Sequence, residues 1–308
     1  MSQRIIDAHV HLVQAITGIG AGGELRYIGN CMAQYASGET IRILPDLFPG
    51  GTVSPEAILA LMDENHVERA VLLQGNYLGF QNLYSWEAQQ KYPDRFKTAA
   101  SYDPYSRFVD RIRHHLFEEL GIGIVKFELS TGSGLMCNHH TFPLDGDMME
   151  AEYRYADEHN LICVMDIGKP GTESWQIDAL RRSILHHPHL RFVVCHLLAP
   201  SRTTLAVMER GLRQLALPNA WFDLAALPHN IRPEEYPYET AVRFVERAAG
   251  IVSDEKLLFG SDIPTTLKED TYAHLTGFIS DAPQFSPKTK DRILYRNAAE
   301  LYFDEVTE

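Results

Sequence analysis

Short apolar runs alternate with segments of helical periodicity along the whole chain, and this alternation constrains the fold more than any single motif. The runs cover residues 4–10, 70–73, 96–101, 124–127, 161–167, 191–195, 220–224 and 256–260. Each is short and apolar in the manner of a buried strand. Helical spacing fills the intervals, as at 55–65, 107–120, 148–159, 177–186, 203–215 and 238–252. The first of these opens with Ser54 as cap and Pro55 at the first helical position. Alternation of this kind predicts parallel strands joined by crossover helices. Repeated eight times in 308 residues, it fits a single-domain α/β chain, a closed (β/α)8 TIM barrel over 1–308. A doubly wound open sheet would carry a glycine-rich turn after its first strand, where this chain has His11-Leu12-Val13.

Between the first strand and the first helix lies a long segment, about 12–52, rich in glycine and interrupted by Pro45 and Pro49. We read it as a first βα loop of the size that commonly forms a lid. Its Arg26, Tyr27, Asn30 and Arg42 are able to grip an anionic group, or to serve as ordinary surface polar residues. Near the other end, Ser286-Pro287 starts a last helix that runs to Phe303.

A net charge of −13 repels phosphate backbones and anionic bilayers, so neither nucleic acid nor a membrane is an expected partner. No export segment and no run of about eighteen apolar residues is visible, which predicts a cytoplasmic protein. Four cysteines suit that compartment as reduced thiols, with Cys163 and Cys195 in apolar strands and Cys31 and Cys137 in polar loops. The expected partner is a small-molecule substrate, and homo-oligomer formation stays open.

The first strand, Arg4-Ile5-Ile6-Asp7-Ala8-His9-Val10-His11, carries Asp7, His9 and His11 at period two. Regular strand alternation predicts all three on one face. Two imidazoles at the carboxyl end of one strand suit a divalent transition metal, although a surface strand with alternating polar residues has the same pattern. Other strand ends add to the set: Lys126 and Glu128 on the fourth, Asp166 on the fifth, His196 after the sixth, Asp223 on the seventh and Asp262 after the eighth. Barrel chemistry sits at those ends. Buried carboxylates and imidazoles are costly unless paired or metal-bound, so their clustering there implies a compensating charge. His114, His115, His186, His187 and His189 fall on helices or their exits and read as surface residues, whereas His139, His140 and His229 fall in loops able to line the mouth.

Four segments together carry a family resemblance: Ile6-Asp7-Ala8-His9-Val10-His11-Leu12, Phe192-Val193-Val194-Cys195-His196, Leu258-Phe259-Gly260-Ser261-Asp262-Ile263-Pro264 and Ile293-Leu294-Tyr295-Arg296-Asn297-Ala298. The chain resembles the amidohydrolase superfamily, in the amidohydrolase-related branch that holds aromatic-acid decarboxylases and pyrone dicarboxylate lactonase. The resemblance implies His9 and His11 as metal ligands, Asp262 as a further ligand that also accepts a proton from the attacking water, and His196 as the group that polarises or deprotonates. Where that branch has a strand-five histidine, this chain has Asp166, giving an implied set of His9, His11, Asp166 and Asp262 around one zinc or manganese ion. Because lactonases of the branch work without metal, a metal-free site stays open. The superfamily's binuclear members bridge two metals through a carboxylated strand-four lysine; the preferred reading of Lys126 is instead as the group that neutralises a substrate carboxylate, with Glu128, on the same strand face, as its ion-pair partner.

The leading expectation is a metal-dependent hydrolase that opens an ester, lactone or amide of a small carboxylated substrate by attack of activated water. Asp262 and His196 are the catalytic candidates, and Lys126, Glu128, Arg26, His139 and His140 the substrate-binding ones. A non-oxidative decarboxylase of an aromatic or enoic acid, a metal-independent lactonase and an inactive ligand-binding barrel are the alternatives.

Overall fold

The expected alternation is present in the computed structural model, which describes residues 3–305, so both ends of the expected 1–308 domain lie outside the described residues. Strand β1 (Ile5–Val10) leads into β2 (Ile19–Gly20), β3 (Gly23–Gly29), β4 (Met32–Tyr35) and β5 (Thr40–Arg42). Then follow α1 (Pro55–Glu64), β6 (Val67–Leu72), α2 (Asn82–Lys91), β7 (Phe96–Ala100), α3 (Val109–Arg113) and β8 (Ile124–Glu128). Next come α4 (Leu135–Asn138), α5 (Asp147–Glu158), β9 (Ile162–Asp166), α6 (Ile177–His186), β10 (Arg191–Val194) and α7 (Leu205–Leu215). The chain continues through β11 (Ala220–Asp223), α8 (Leu227–Asn230), α9 (Glu239–Val252) and β12 (Leu257–Leu258) to α10 (Tyr272–Ser280), α11 (Pro287–Asp291) and α12 (Asn297–Phe303).

The parallel sheet runs β1-β6-β7-β8-β9-β10-β11-β12. Beyond β12 the chain returns to β1: the Ala8 N–H donates to Phe259 O (2.8 Å), the Asp262 N–H to His9 O (2.9 Å) and the His11 N–H to Ile263 O (2.8 Å). Those bonds close a (β/α)8 barrel. One apolar layer fills its interior, with Ile6, Ala8, Val71, Ile124, Val164, Val193 and Leu258 packed with Tyr295 and Tyr302. A second, including Phe96, Phe127, Phe192, Phe222 and Phe259, separates the sheet from the helices. Capping at α1 follows the sequence, since Ser54 Oγ accepts the Ala57 N–H, Pro55 occupies the first turn, and Ile58 and Met62 are buried.

Several expectations are corrected. Segment 12–52 is not a plain loop, because β2–β5 form a separate antiparallel sheet in sequence order. Leu25 and Ala33 are buried while their neighbours Arg26 and Gln34 are exposed, a half-buried alternation. Asn30 and Cys31 turn the second hairpin with left-handed φ of 51° and 61°. The strands are short and poor in β-branched residues, so their period-two signal is weak in the sequence. The sheet is fastened to the barrel, with the Ile19 N–H donating to Asn76 O (2.9 Å) and the Thr17 N–H to Leu78 O (3.2 Å). Cys31, expected in a polar loop, is buried at the turn between β3 and β4, and all four cysteines are free. The helix expected over 107–120 keeps α-geometry only to Arg113 and widens to π-turns over His114–Glu119. His114, His115, His186 and His189 are exposed, but His187 is buried against α5. Among the described residues no helix is long and apolar enough to cross a membrane.

Candidate active site

Strand ends of the barrel surround a cavity of about 190 Å3 that His9, His11, Lys126, Glu128, Asp166, His196 and Asp262 line together with Tyr77, Leu78, Ser133 and Thr265. Asp7 is absent from it. The span from Asp7 to Val10 takes three steps along β1, whereas its partner span from Ala70 to Leu72 takes two, so a bulge interrupts the alternation. Ile6 and Ala8 therefore pack in the barrel interior. Asp7 faces the helix layer, accepting from Tyr272 Oη (2.7 Å), the Ser261 N–H (2.9 Å) and the His9 N–H (3.1 Å). Only past the bulge do His9 and His11 turn to the cavity.

His9 Nδ1–H donates to Asp223 Oδ2 (3.0 Å), which leaves a lone pair on Nε2. That nitrogen is buried without a hydrogen-bond partner, 3.8 Å from Asp262 Oδ1. Burial lowers the His9 imidazole to about 4, so it is neutral at physiological pH. His11 Nδ1–H donates to Leu73 O (2.9 Å), and its Nε2 faces Asp262 Oδ1 at 2.9 Å. The His9 lone pair and a carboxylate oxygen aimed at one another repel unless a cation lies between them. The three donor atoms lie within 4.8 Å of one another, and two imidazoles with a carboxylate form a donor set for a divalent metal. Burial pushes the Asp262 carboxyl up, yet its bond to His11 and the imidazoles around it hold it below the ordinary range, so it is ionised.

The fifth-strand carboxylate takes another place. Asp166 is outside the His9, His11, Asp262 group; its Oδ2 lies 3.4 Å from His196 Nε2. His196 Nδ1–H donates to Ala225 O (3.0 Å). Burial alone would lower His196, but Asp166, then Asp223 and Asp262, raise it to about 10. An imidazolium donates or polarises, which matches the first of the two expected roles. Both His196 and Asp262 hold left-handed φ, 61° and 65°, which is uncommon without glycine and gathers at functional sites.

Lys126 is buried on the cavity wall. Burial lowers its ammonium, but the Cys195 sulfur and the carboxylates of Glu128, Asp166 and Asp262 more than offset this and keep it charged. Burial raises the Glu128 carboxyl against the opposing charge of Lys126. Glu128 accepts from Ser133 Oγ (3.0 Å) and the Tyr77 N–H (3.3 Å). A Cβ on Gly75 would stand 2.0 Å from Glu128 Oε2, so only glycine admits that approach. Three lining carboxylates thus face two cations, Lys126 and His196, and the remaining negative charge favours a bound cation.

Three expected substrate contacts do not line this cavity. Arg26 is exposed on β3, His139 pairs with Asp103 (2.7 Å), and His140 is exposed. The residue whose work was missed is Asp223, which the sequence places at a strand end without a role. Besides orienting His9, it accepts the His196 N–H (2.7 Å) and the Ala225 N–H (3.1 Å), so one carboxylate positions both histidines. Its place at a strand end was the available signal.

A profile of the amidohydrolase family matches residues 6–303. Among solved structures, the fold is similar to a probable 2-pyrone-4,6-dicarboxylic acid hydrolase from Acinetobacter baumannii with citric acid bound, 19% identical over 97% of this chain and 99% of the other, TM-score 0.70. It is similar to an amidohydrolase from Burkholderia multivorans with bound zinc, 16% identical over 97% and 99%, TM-score 0.72. A 5-carboxyvanillate decarboxylase from Sphingomonas paucimobilis is 12% identical over 98% and 99%, TM-score 0.63. No curated protein matches the sequence.

Proposed function

The chain belongs to the amidohydrolase family and is an enzyme, and on that premise we propose that it is a metal-dependent hydrolase opening an ester, lactone or amide bond of a small carboxylated substrate. The observation that carries this reading is the buried, unpartnered His9 Nε2 converging with His11 Nε2 and Asp262 Oδ1. A zinc or manganese ion held by His9, His11 and Asp262 would supply Lewis acidity, drawing the pKa of a water toward neutrality and polarising a carbonyl. Asp262 takes one proton from the water as its oxygen bonds to the carbonyl carbon. His196, kept protonated by Asp166, gives its proton to the departing oxygen or nitrogen as that bond breaks. Lys126 pairs with the substrate carboxylate: the expected ion pair with Glu128 does not form, and among the described residues Glu128, Asp166 and Asp262 act on Lys126 without ion-pair contact. A cavity of about 190 Å3 lies below the range of about 300–1,000 Å3 usual for drug-sized ligands, so the reacting part of the substrate is small.

The zinc in the Burkholderia structure supports the ion, and the citric acid in the Acinetobacter one supports a carboxylated ligand. Four free cysteines fit a reducing cytoplasm. The test is turnover of a panel of lactones, esters and amides by zinc- or manganese-loaded protein, beside aromatic and enoic acids monitored for CO2. Bond opening that chelation abolishes supports the proposal. Release of CO2 without hydrolysis would make the protein a decarboxylase, turnover indifferent to chelation a metal-independent lactonase, and binding without turnover an inactive barrel.

A further inference from the structure

A second group of imidazole and carboxylate donors lies in the outer helix layer, where the end of α6 meets α5. Glu150 Oε2 stands 3.3 Å from His186 Nδ1 and 3.1 Å from His187 Nε2, and the three donor atoms lie within 4.8 Å of one another. Ligands at about 2.0–2.1 Å from a tetrahedral zinc are separated by about 3.4 Å. The spacing to His186 approaches that value and exceeds the ordinary N–H···O range of about 2.7–3.2 Å.

Adjacent helical residues normally point about 100° apart. His186 ends α6, and His187 as its cap leaves helical geometry with φ −114° and ψ 70°, which lets both rings reach one carboxylate. His187 is held in place, 6% exposed, with its ring edge-on to Tyr153 at 5.8 Å. Its other nitrogen, Nδ1, faces Asp157 Oδ2 at 3.7 Å, two turns along the same face of α5. A carboxylate behind the non-ligating nitrogen is the common support of a metal-bound imidazole. Arg154 approaches only the other Glu150 oxygen, Oε1, at 3.8 Å. His186 is open to solvent and leaves room for a water as fourth ligand.

We propose that Glu150, His186 and His187 form a zinc-class divalent metal site that clamps α5 to α6, separate from the barrel mouth. The proposal does not depend on the function of the mouth, but it changes how metal content is read, since purified protein would carry zinc in two places.

Equilibrium dialysis against zinc chloride, with thermal unfolding in parallel, tests it on the full chain carrying His11→Ala and Asp262→Asn. This variant is expected to retain about one zinc per chain and to gain in Tm with zinc. Adding His186→Ala, which removes an exposed ring, abolishes both, and adding Glu150→Gln weakens zinc binding by at least about tenfold. Unchanged zinc content after His186→Ala, or no zinc in the parent variant, would overturn the site. Should the parent variant not fold, wild-type protein is expected to bind about two zinc ions and His186→Ala alone about one; equal contents would overturn it as well.

Discussion

At the barrel mouth, His9 is fully buried, its Nδ1 is fixed by Asp223 at 3.0 Å, and its Nε2 has no hydrogen-bond partner. At the α5–α6 junction, the His186 side chain is 70% exposed and both imidazoles contact Glu150 directly. Side chains of the same kinds are therefore under different constraints. In the helix layer, both rings meet the Glu150 carboxylate and the exposed His186 also reaches solvent, so a metal bound there would add stability. In the mouth, donors are desolvated and aimed at one another, so charge brought between them acts on whatever shares the cavity. Burial and the outer partners decide whether a cluster fastens helices or performs chemistry.

The sharpest way to break this comparison is to neutralise the base. Asp262→Asn should lower kcat of the metal-loaded enzyme by about 10²- to 10⁴-fold with the fold intact by circular dichroism. Arg26→Ala, exposed on β3 and away from the cavity, should change kcat by less than about twofold. Equal losses in the two variants would mean that the mouth does not hold the base.

Next in size is the support of His9. Asp223→Ala frees both His9 Nδ1 and the His196 N–H. We expect metal affinity at the mouth to fall by about 10- to 100-fold in dialysis. Zinc at the α5–α6 junction should be unaffected, which separates a positioning role from general unfolding.

Asp166 tests the acid. His196, raised to about 10 by its neighbours, stays protonated through the physiological range. In Asp166→Asn the largest raising influence is gone, and the alkaline limb of the kcat profile should move down. By pH 8.5 the variant should lose about tenfold relative to pH 6.5 while the wild type stays flat. In metal-stripped protein the sign for stability follows from the same shift. A histidine whose folded value is raised contributes fully below its unfolded value of 6.5 and loses that contribution as pH rises toward 10. The variant should show a shallower fall in Tm over this window.

Much of this was legible before any coordinates. Apolar runs and helical spacing are local signals that report burial directly, and the barrel follows from their repetition. Lys126, Glu128 and Asp166 were found because β8 and β9 keep regular alternation to their ends, so the sequence period states which residues face inward. Asp7 was misplaced because a bulge is a mismatch between two strands, and β1 carries no mark of what β6 opposes to it. For the same reason the antiparallel sheet within 12–52 was invisible, since pairing between short strands of weak propensity is decided by tertiary contacts. The Glu150, His186 and His187 group combines a helix end with a residue of the preceding helix, a nearness that only packing creates.

Asp7 offers the smallest effect and asks how far the order of the mouth depends on a charge outside it. Burial raises its carboxyl to about 6 despite the bonds from Ser261, Tyr272 and His9. A carboxyl with a raised folded value favours folding when protonated, so its contribution is lost as pH rises from about 4 to about 6. At neutral pH the fold carries an ionised, fully buried Asp7. Asparagine at this position keeps one oxygen for the His9 and Ser261 N–H groups, which both bond Oδ1, and turns its amide toward the Tyr272 hydroxyl at Oδ2. Asp7→Asn should therefore gain about 1 kcal/mol at pH 7 in denaturant unfolding and flatten the fall in stability between pH 4 and 6. A loss of stability together with weaker metal binding at the mouth would show instead that the negative charge behind the bulge is what holds His9 in place.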